Sequence, residues 1–268
     1  MAASGTKDRL CQIVSAVRTK GPLVQCLTNY VSMDIMANGL LAAGASPAMV
    51  HAPEELDDAI AVVAATKGAV SINIGTLDVQ WIASFKRAAA ACKAHGVPWI
   101  LDPVAAGFTA LRTNTATELL ELGGCAVVRG NGSEIKALAG ALGGGKGVDS
   151  TEGSDAAVES AKALASKYEC VVCVSGAVDY VCDPAGVVLS CPHGVEMLTK
   201  ITAAGCLVSS MIAAFVAAKP EGYSDAEAAL YAFTFLGLCA EAAARESKGP
   251  GSLKVNLMDQ LYSFDPAG

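Results

Sequence analysis

Four stretches of this 268-residue chain place a polar or reactive group directly after, or at the head of, an apolar run. Trp99-Ile-Leu-Asp102-Pro103 ends one run in a carboxylate, and Ala126-Val-Val-Arg129-Gly-Asn131-Gly-Ser-Glu134 ends another in a cation followed by a second carboxylate. Val172-Cys-Val-Ser175-Gly176 ends a third in a hydroxyl at a flexible turn. Thr202-Ala203-Ala204-Gly205-Cys206 opens a long uncharged stretch. If that stretch is a helix, its first N–H groups form an anion hole and its dipole favours the thiolate of Cys206. Asp102 and Glu134 would serve a divalent cation, Arg129 would serve phosphates, and the anion hole has a thiol beside it. Charge neutralisation, positioning and a weak base near the acceptor are what phosphoryl transfer needs. Asn131 and Glu134 also have a plainer reading, as a helix cap and its reciprocal partner.

Other motifs lead elsewhere and fail on context. Residues 140–146 match the start of a P-loop, but Gly147 stands where the Ser or Thr is required, and a helical run precedes the motif instead of a strand. We read a surface loop there. Cys170-Val-Val-Cys173, with Cys182 and Cys191 downstream, has the spacing of a zinc pair. On a strand, however, positions i and i+3 point to opposite faces, so these read as structural thiols. The histidines are His51, His95 and His193, and nothing local orients an imidazole toward Cys206 for hydrolase chemistry.

The elements that must position these groups follow from the hydropathy pattern. Residues 23–27, 48–50, 69–74, 99–101 and 126–128 read as short, nearly continuous apolar strands covered on both faces. Residues 32–43, 54–66, 77–95 and 113–122 read as helices between them, so the sheet is parallel with right-handed crossovers. Three further β runs, 170–175, 180–183 and 187–191, follow in close succession and predict an antiparallel edge. Helices then close the chain at 203–218, at 224–246 behind the capping box Ser224-Asp-Ala-Glu227, and from 253 onward. The expectation is one α/β domain over 1–268, its site at the carboxyl ends of the parallel strands.

Composition narrows the classes of function. A hydrophobic fraction of 53% with 17% charged residues excludes a disordered chain. A net charge of −7 without basic runs argues against nucleic acid as a partner. Residues 201–218 carry no charge, but the stretch is short for a membrane span and holds Ser209 and Ser210, so a buried central helix is expected and no membrane. Ten cysteines in a chain of this length, with Lys7, Asp8 and Arg9 near its start in place of an apolar leader, read as reduced thiols and a cytoplasmic location.

Taken in order, the motifs resemble those of the hydroxyethylthiazole kinase family, within the ribokinase-like superfamily. The resemblance rests on Thr28-Asn29-Tyr-Val, Ala43-Gly-Ala-Ser-Pro-Ala-Met49, Ile74-Gly-Thr76, Leu101-Asp-Pro-Val104, Arg129-Gly-Asn131 with Glu134, Lys146-Gly-Val-Asp-Ser150 and Gly205-Cys206. It implies a three-layer αβα sandwich with a mostly parallel central sheet. It also implies ATP-dependent phosphorylation of 4-methyl-5-(2-hydroxyethyl)thiazole on its hydroxyl, a step of thiamin salvage. By resemblance, Asp102 and Glu134 organise Mg2+, partly through water, Arg129 and Ser175 hold ATP phosphates, and Met49 and Asn29 line the thiazole pocket. Cys206 takes the catalytic position as weak base or acceptor-positioning group. The family assembles as trimers, which would bring Asn29 and Met49 of one chain toward Cys206 of its neighbour.

There is one departure from the family's pattern. The family usually reads Gly-x-Gly-Cys where this chain has Ala203-Ala204-Gly205-Cys206. The first Gly contacts substrate in the family, so Ala203 inherits that place. If residue 203 must be left-handed, an L-residue costs roughly 1–2 kcal/mol, taken up as local strain or a displaced loop. Competing readings are another ribokinase-like kinase of the hydroxymethylpyrimidine or pyridoxal type, or a catalytically weakened thiazole-binding homologue. The first usually carries Asp where Cys206 stands.

Overall fold

The computed structural model describes residues 2–140 and 154–265. Its strands are β1 (Leu23–Leu27), β2 (Ser46–Ala48), β3 (Ala69–Asn73), β4 (Trp99–Asp102), β5 (Cys125–Asn131), β6 (Val171–Ser175), β7 (Asp179–Cys182) and β8 (Val188–Cys191). The helices are α1 (Ala2–Lys20), α2 (Met33–Ala43), α3 (Leu56–Ala65), α4 (Val79–His95) and α5 (Ala110–Leu122). They continue with α6 (Gly132–Gly140), α7 (Ser154–Tyr168), α8 (Ala204–Ala218), α9 (Asp225–Arg245) and α10 (Pro250–Ser263). The strands form one sheet in the order β2-β1-β3-β4-β5-β6-β7-β8. Pairing is parallel from β2 through β6 and antiparallel for β6–β7 and β7–β8.

Period-2 side-chain alternation on strands buried on both faces explains the layers. One face of the sheet packs against α1, α2, α8, α9 and α10 through residues such as Ile13, Leu40, Phe215, Phe235 and Leu257. The other packs against α3 to α7 through Ile60, Phe85, Leu119, Ile135 and Leu164. Along β6, Val171 and Cys173 enter the first core while Val172 and Val174 enter the second. The CxxC pair divides in the same way, Cys170 on one face and Cys173 on the other. Among the described residues no disulfide joins any of the ten cysteines. The αβα sandwich expected from the pattern is therefore the observed architecture.

Differences from the predicted elements have local causes. The helix α1 escaped the pattern reading, although Leu10, Ile13, Val14 and Val17 form a stripe at helical spacing and are all buried. Pro53–Glu55 is a 3-10 turn that leads into α3. The helix α5 begins earlier than 113 because the Thr109 side chain caps it. Ser224 and Glu227 make the predicted reciprocal cap of α9. The uncharged 201–218 stretch becomes α8, buried along most of its length. The longer α9 is apolar enough to cross a membrane by length and composition alone, yet 67% of its most apolar window is buried inside the protein. The P-loop-like segment beyond Gly140 and the Lys146–Ser150 motif lie outside the described residues.

Candidate active site

Parallel strands bring their carboxyl ends to one edge of the sheet, and the side chains there are wired together. Asp102, the last residue of β4, is 1% exposed. Its Oδ2 accepts hydrogen bonds from Asn73 Nδ2 and from Ser209 Oγ, each at 2.8 Å. Asn73, at the end of β3, accepts on Oδ1 from Asn29 Nδ2 and from the Gly75 N–H, each at 2.9 Å. The same Asn29 amide lies 3.6 Å from Cys206 Sγ at the start of α8. A continuous path thus runs from the Asp102 carboxylate to the Cys206 thiol within a single chain. Asn29 and Cys206 meet within one chain, where β1 packs close to α8.

Electrostatics overturn one expectation. Burial, with the negative charge of Asp102 added, pushes the Cys206 thiol up to about 11. Desolvation outweighs the helix dipole, and the side chain is a neutral thiol, not a thiolate. Burial likewise raises the Asp102 carboxyl to about 6, opposed by the Arg129 cation and the Ser209 and Asn73 hydrogen bonds, with Glu134 pushing it further up.

Glu134 satisfies both readings of its position. Its Oε2 accepts from the Asn131 N–H and its Oε1 from the Ala105 N–H, each at 2.8 Å. Asn131 Oδ1 accepts in return from the N–H groups of Ser133 and Glu134 at 3.0 Å. The capping role is real, and it fixes a half-closed carboxylate, 9% exposed, beside Asp102. Each Glu134 oxygen spends one lone pair on a backbone donor and can still meet a cation or its water.

The neighbouring strand ends supply donors. Arg129 Nε and Ser175 Oγ are buried without a hydrogen-bond partner among the described residues. A cavity of about 590 Å3 is lined by Arg129, Ser175 and the start of α8, together with Asp179, Phe233 and Leu236. Burial raises the Asp179 carboxyl to about 6, against the Gly176 N–H it accepts and the nearby Arg129. A Cβ at Gly205 would sit 2.7 Å from Arg129 Nη1, so a larger residue there would displace the guanidinium. Ala203, the N-cap of α8, is left-handed with φ 66° and ψ 12°. The backbone therefore keeps the turn that opens the anion hole, at the cost of strain in an L-residue.

Met49 follows β2 and is half-buried against the core that holds Cys206. Gln25 pins the adjacent residue through bonds to both the N–H and the carbonyl of Val50. Beyond it His51 stacks on Trp81 with ring centroids 5.2 Å apart, and Tyr30 meets Trp81 edge-on at 5.7 Å. Tyr30 and Val31 are 62% and 68% exposed, an apolar rim next to Asn29.

Among the described residues no cluster of three or more His, Cys, Asp or Glu could hold a metal by itself. Asp102 and Glu134 are two carboxylates of the kind that hold a divalent cation together with water and substrate phosphates. The unpartnered Arg129 Nε and Ser175 Oγ suit the phosphates. The sequence reading named Asp102, Arg129, Glu134, Ser175, Asn29 and Cys206, and the structure places all of them along this edge. It missed Asn73, Ser209, Asp179 and Arg112. Asn73 carried a signal, a polar residue closing an apolar run, and Ser209 stands one turn beyond Gly205 on α8.

In sequence and in fold the chain is similar to hydroxyethylthiazole kinases. The hydroxyethylthiazole kinase family model matches residues 14–266. Hydroxyethylthiazole kinase of Zea mays is 51% identical over 263 residues, spanning 96% of this chain and 89% of that one. The enzyme of that name from Nitratidesulfovibrio vulgaris (strain DSM 19637 / Miyazaki F) is 44% identical over 260 residues, spanning 97% and 94%. The solved structure of hydroxyethylthiazole kinase protein from Pyrococcus horikoshii OT3 superposes with a TM-score of 0.86 at 38% identity, covering 96% of this chain and 93% of that chain.

Proposed function

Because this chain belongs to the hydroxyethylthiazole kinase family, we propose that it phosphorylates hydroxyethylthiazole for thiamin salvage using ATP and magnesium at these strand ends. The observation that carries the placement is the cavity that Arg129, Ser175 and the first residues of α8 line together, with Arg129 Nε and Ser175 Oγ still without a hydrogen-bond partner among the described residues. The base of ATP rests toward Phe233 and Leu236, and its phosphates run past Arg129 and Ser175 toward the first N–H groups of α8. Asp102 and Glu134 would hold magnesium, partly through water. Magnesium, when bound, neutralises charge on the phosphate oxygens.

The alcohol enters beside Asn29 and Cys206, whose contact orients its hydroxyl. The Cys206 thiol stays protonated and acts as a positioning donor. Asp102, joined to that contact through Asn73, takes the hydroxyl proton. A weak base is enough, since the loose transition state places little demand on the nucleophile. Backbone N–H groups at the start of α8 stabilise the transferring phosphoryl group. Ala203 lines this turn at the place where the family has Gly.

We read the chain as one domain, because a single sheet runs from β2 to β8. The family resemblance implies a homotrimer with Met49 at the subunit seam, and the exposed Tyr30 and Val31 are apolar surface that such a seam would cover. Ten free cysteines support a cytoplasmic location. The test is ADP release with magnesium-ATP across hydroxyethylthiazole, a hydroxymethylpyrimidine and pyridoxal. Turnover confined to the thiazole alcohol is expected. Release with the pyrimidine and none with the thiazole would reassign the substrate.

A further inference from the structure

We propose that Arg112 is a positioning residue for the two carboxylates, acting through two peptide units that it holds by their carbonyls; this rests on the reading of Asp102 and Glu134 as the cation-binding pair. Arg112 stands in the first turn of α5 and is half-buried. Its Nη1 donates to the Ile74 carbonyl at 2.9 Å and to the Val104 carbonyl at 3.1 Å. Its Nη2 donates to the Gly75 carbonyl at 3.1 Å. The turns after β3 and β4 are therefore bound to one guanidinium.

What lies on the other side of those peptides makes the contact more than a brace. A trans peptide is planar, with C=O and N–H pointing in opposite directions, so fixing the carbonyl aims the N–H. The N–H of the Ile74–Gly75 peptide donates to Asn73 Oδ1, and Asn73 Nδ2 donates to Asp102 Oδ2. The N–H of the Val104–Ala105 peptide donates to Glu134 Oε1. One cation thus orients both carboxylates, Asp102 through Asn73 and Glu134 directly. It also explains why Ala105 stays at φ 58°, a left-handed conformation that an L-residue does not hold unaided. Lysine cannot replace this fork, since an ammonium is a point charge without the planar guanidinium geometry.

The experiment compares wild type, Arg112→Ala and Arg112→Lys. Partners of this kind affect metal affinity by about 10–100-fold. The magnesium concentration for half-maximal activity should rise at least about tenfold in Arg112→Ala, with the KM for the thiazole alcohol within about twofold of wild type. Guanidinium at millimolar concentration should restore much of the lost metal affinity in Arg112→Ala, and Arg112→Lys should resemble Arg112→Ala before rescue. Amide hydrogen exchange, measured without metal or nucleotide, should speed up at Gly75 and Ala105 while Ile100 and Leu101 in β4 stay protected. Unchanged magnesium dependence, or unchanged exchange at Gly75 and Ala105 in both variants, would overturn the proposal. If Arg112→Ala does not fold, Arg112→Lys decides on the same two readouts. A wild type with no metal-dependent turnover would sink the carboxylate reading instead, and the exchange comparison would still judge Arg112.

Discussion

Replacing Ala203 with glycine should stabilise the protein while leaving its chemistry nearly unchanged. Residue 203 holds φ 66° at the N-cap of α8. An L-residue in that conformation carries about 1–2 kcal/mol of strain. Glycine removes the strain but loses about 0.5–1 kcal/mol more backbone entropy on folding. The net gain is about 0.5–1 kcal/mol, which for a chain of this size is a rise in Tm of about 1–3 °C. The strain is already absorbed locally and the turn is formed, so the N–H groups at the start of α8 have little to gain. We therefore expect kcat within about twofold, well short of the tenfold that 1.4 kcal/mol of transition-state stabilisation would give. Scanning calorimetry of both proteins, with single-turnover ADP formation alongside, measures the two quantities. A lower Tm would refute the strain argument. A tenfold gain in kcat at unchanged Tm would show that alanine misplaces the anion hole.

Three further outcomes follow from the same geometry. Gly205→Ala puts a Cβ 2.7 Å from Arg129 Nη1, so the KM for ATP should rise by about tenfold or more, against a small change in the KM for the alcohol. Cys206, raised to about 11 by burial and Asp102, should alkylate slowly with iodoacetamide at pH 8, and Cys206→Ser should keep activity within about tenfold because a hydroxyl can also position the acceptor; fast alkylation at neutral pH would restore the thiolate. Asp102, raised from 3.8 to about 6 mainly by burial, favours folding fully below about pH 4, and that contribution is lost as pH rises through 6; Asp102→Asn should therefore exceed wild type in stability at pH 8, by on the order of 2–3 kcal/mol, and lose the advantage near pH 4. Wild-type kcat/KM should fall as pH drops through 6, because the ionised carboxylate is the active form.

The legible parts of the site were those in which a functional group ends an apolar run. Asp102 before Pro103 closes β4, whereas Arg129 lies inside β5, whose ladder with β6 runs on to Asn131 beyond the end read at 128; the parallel sheet brings the two residues to the same edge. Asn73 was harder to read, since an amide after an apolar run is also an ordinary strand stop; only the bonds to Asn29 and Asp102 distinguish it. Arg112 had no local signature, because its partners are backbone carbonyls on two turns distant in sequence. The sign of the Cys206 shift failed for a different reason. Helix position is visible in the sequence, but the burial that outweighs it depends on packing between α8, β3 and β4. The helix α1 was missed because its apolar stripe is narrow within a segment rich in polar residues.

The most direct measurement is single-turnover ADP formation from magnesium-ATP and hydroxyethylthiazole, in wild type and in Glu134→Gln. Glutamine keeps the size of the side chain but places an amide donor against the Ala105 or Asn131 N–H and removes the charge that would hold the cation. Metal-dependent turnover is expected in wild type, with a loss of about a hundredfold or more in a variant that still folds. Equal turnover in the two proteins would return Glu134 to a purely capping role and contradict the site.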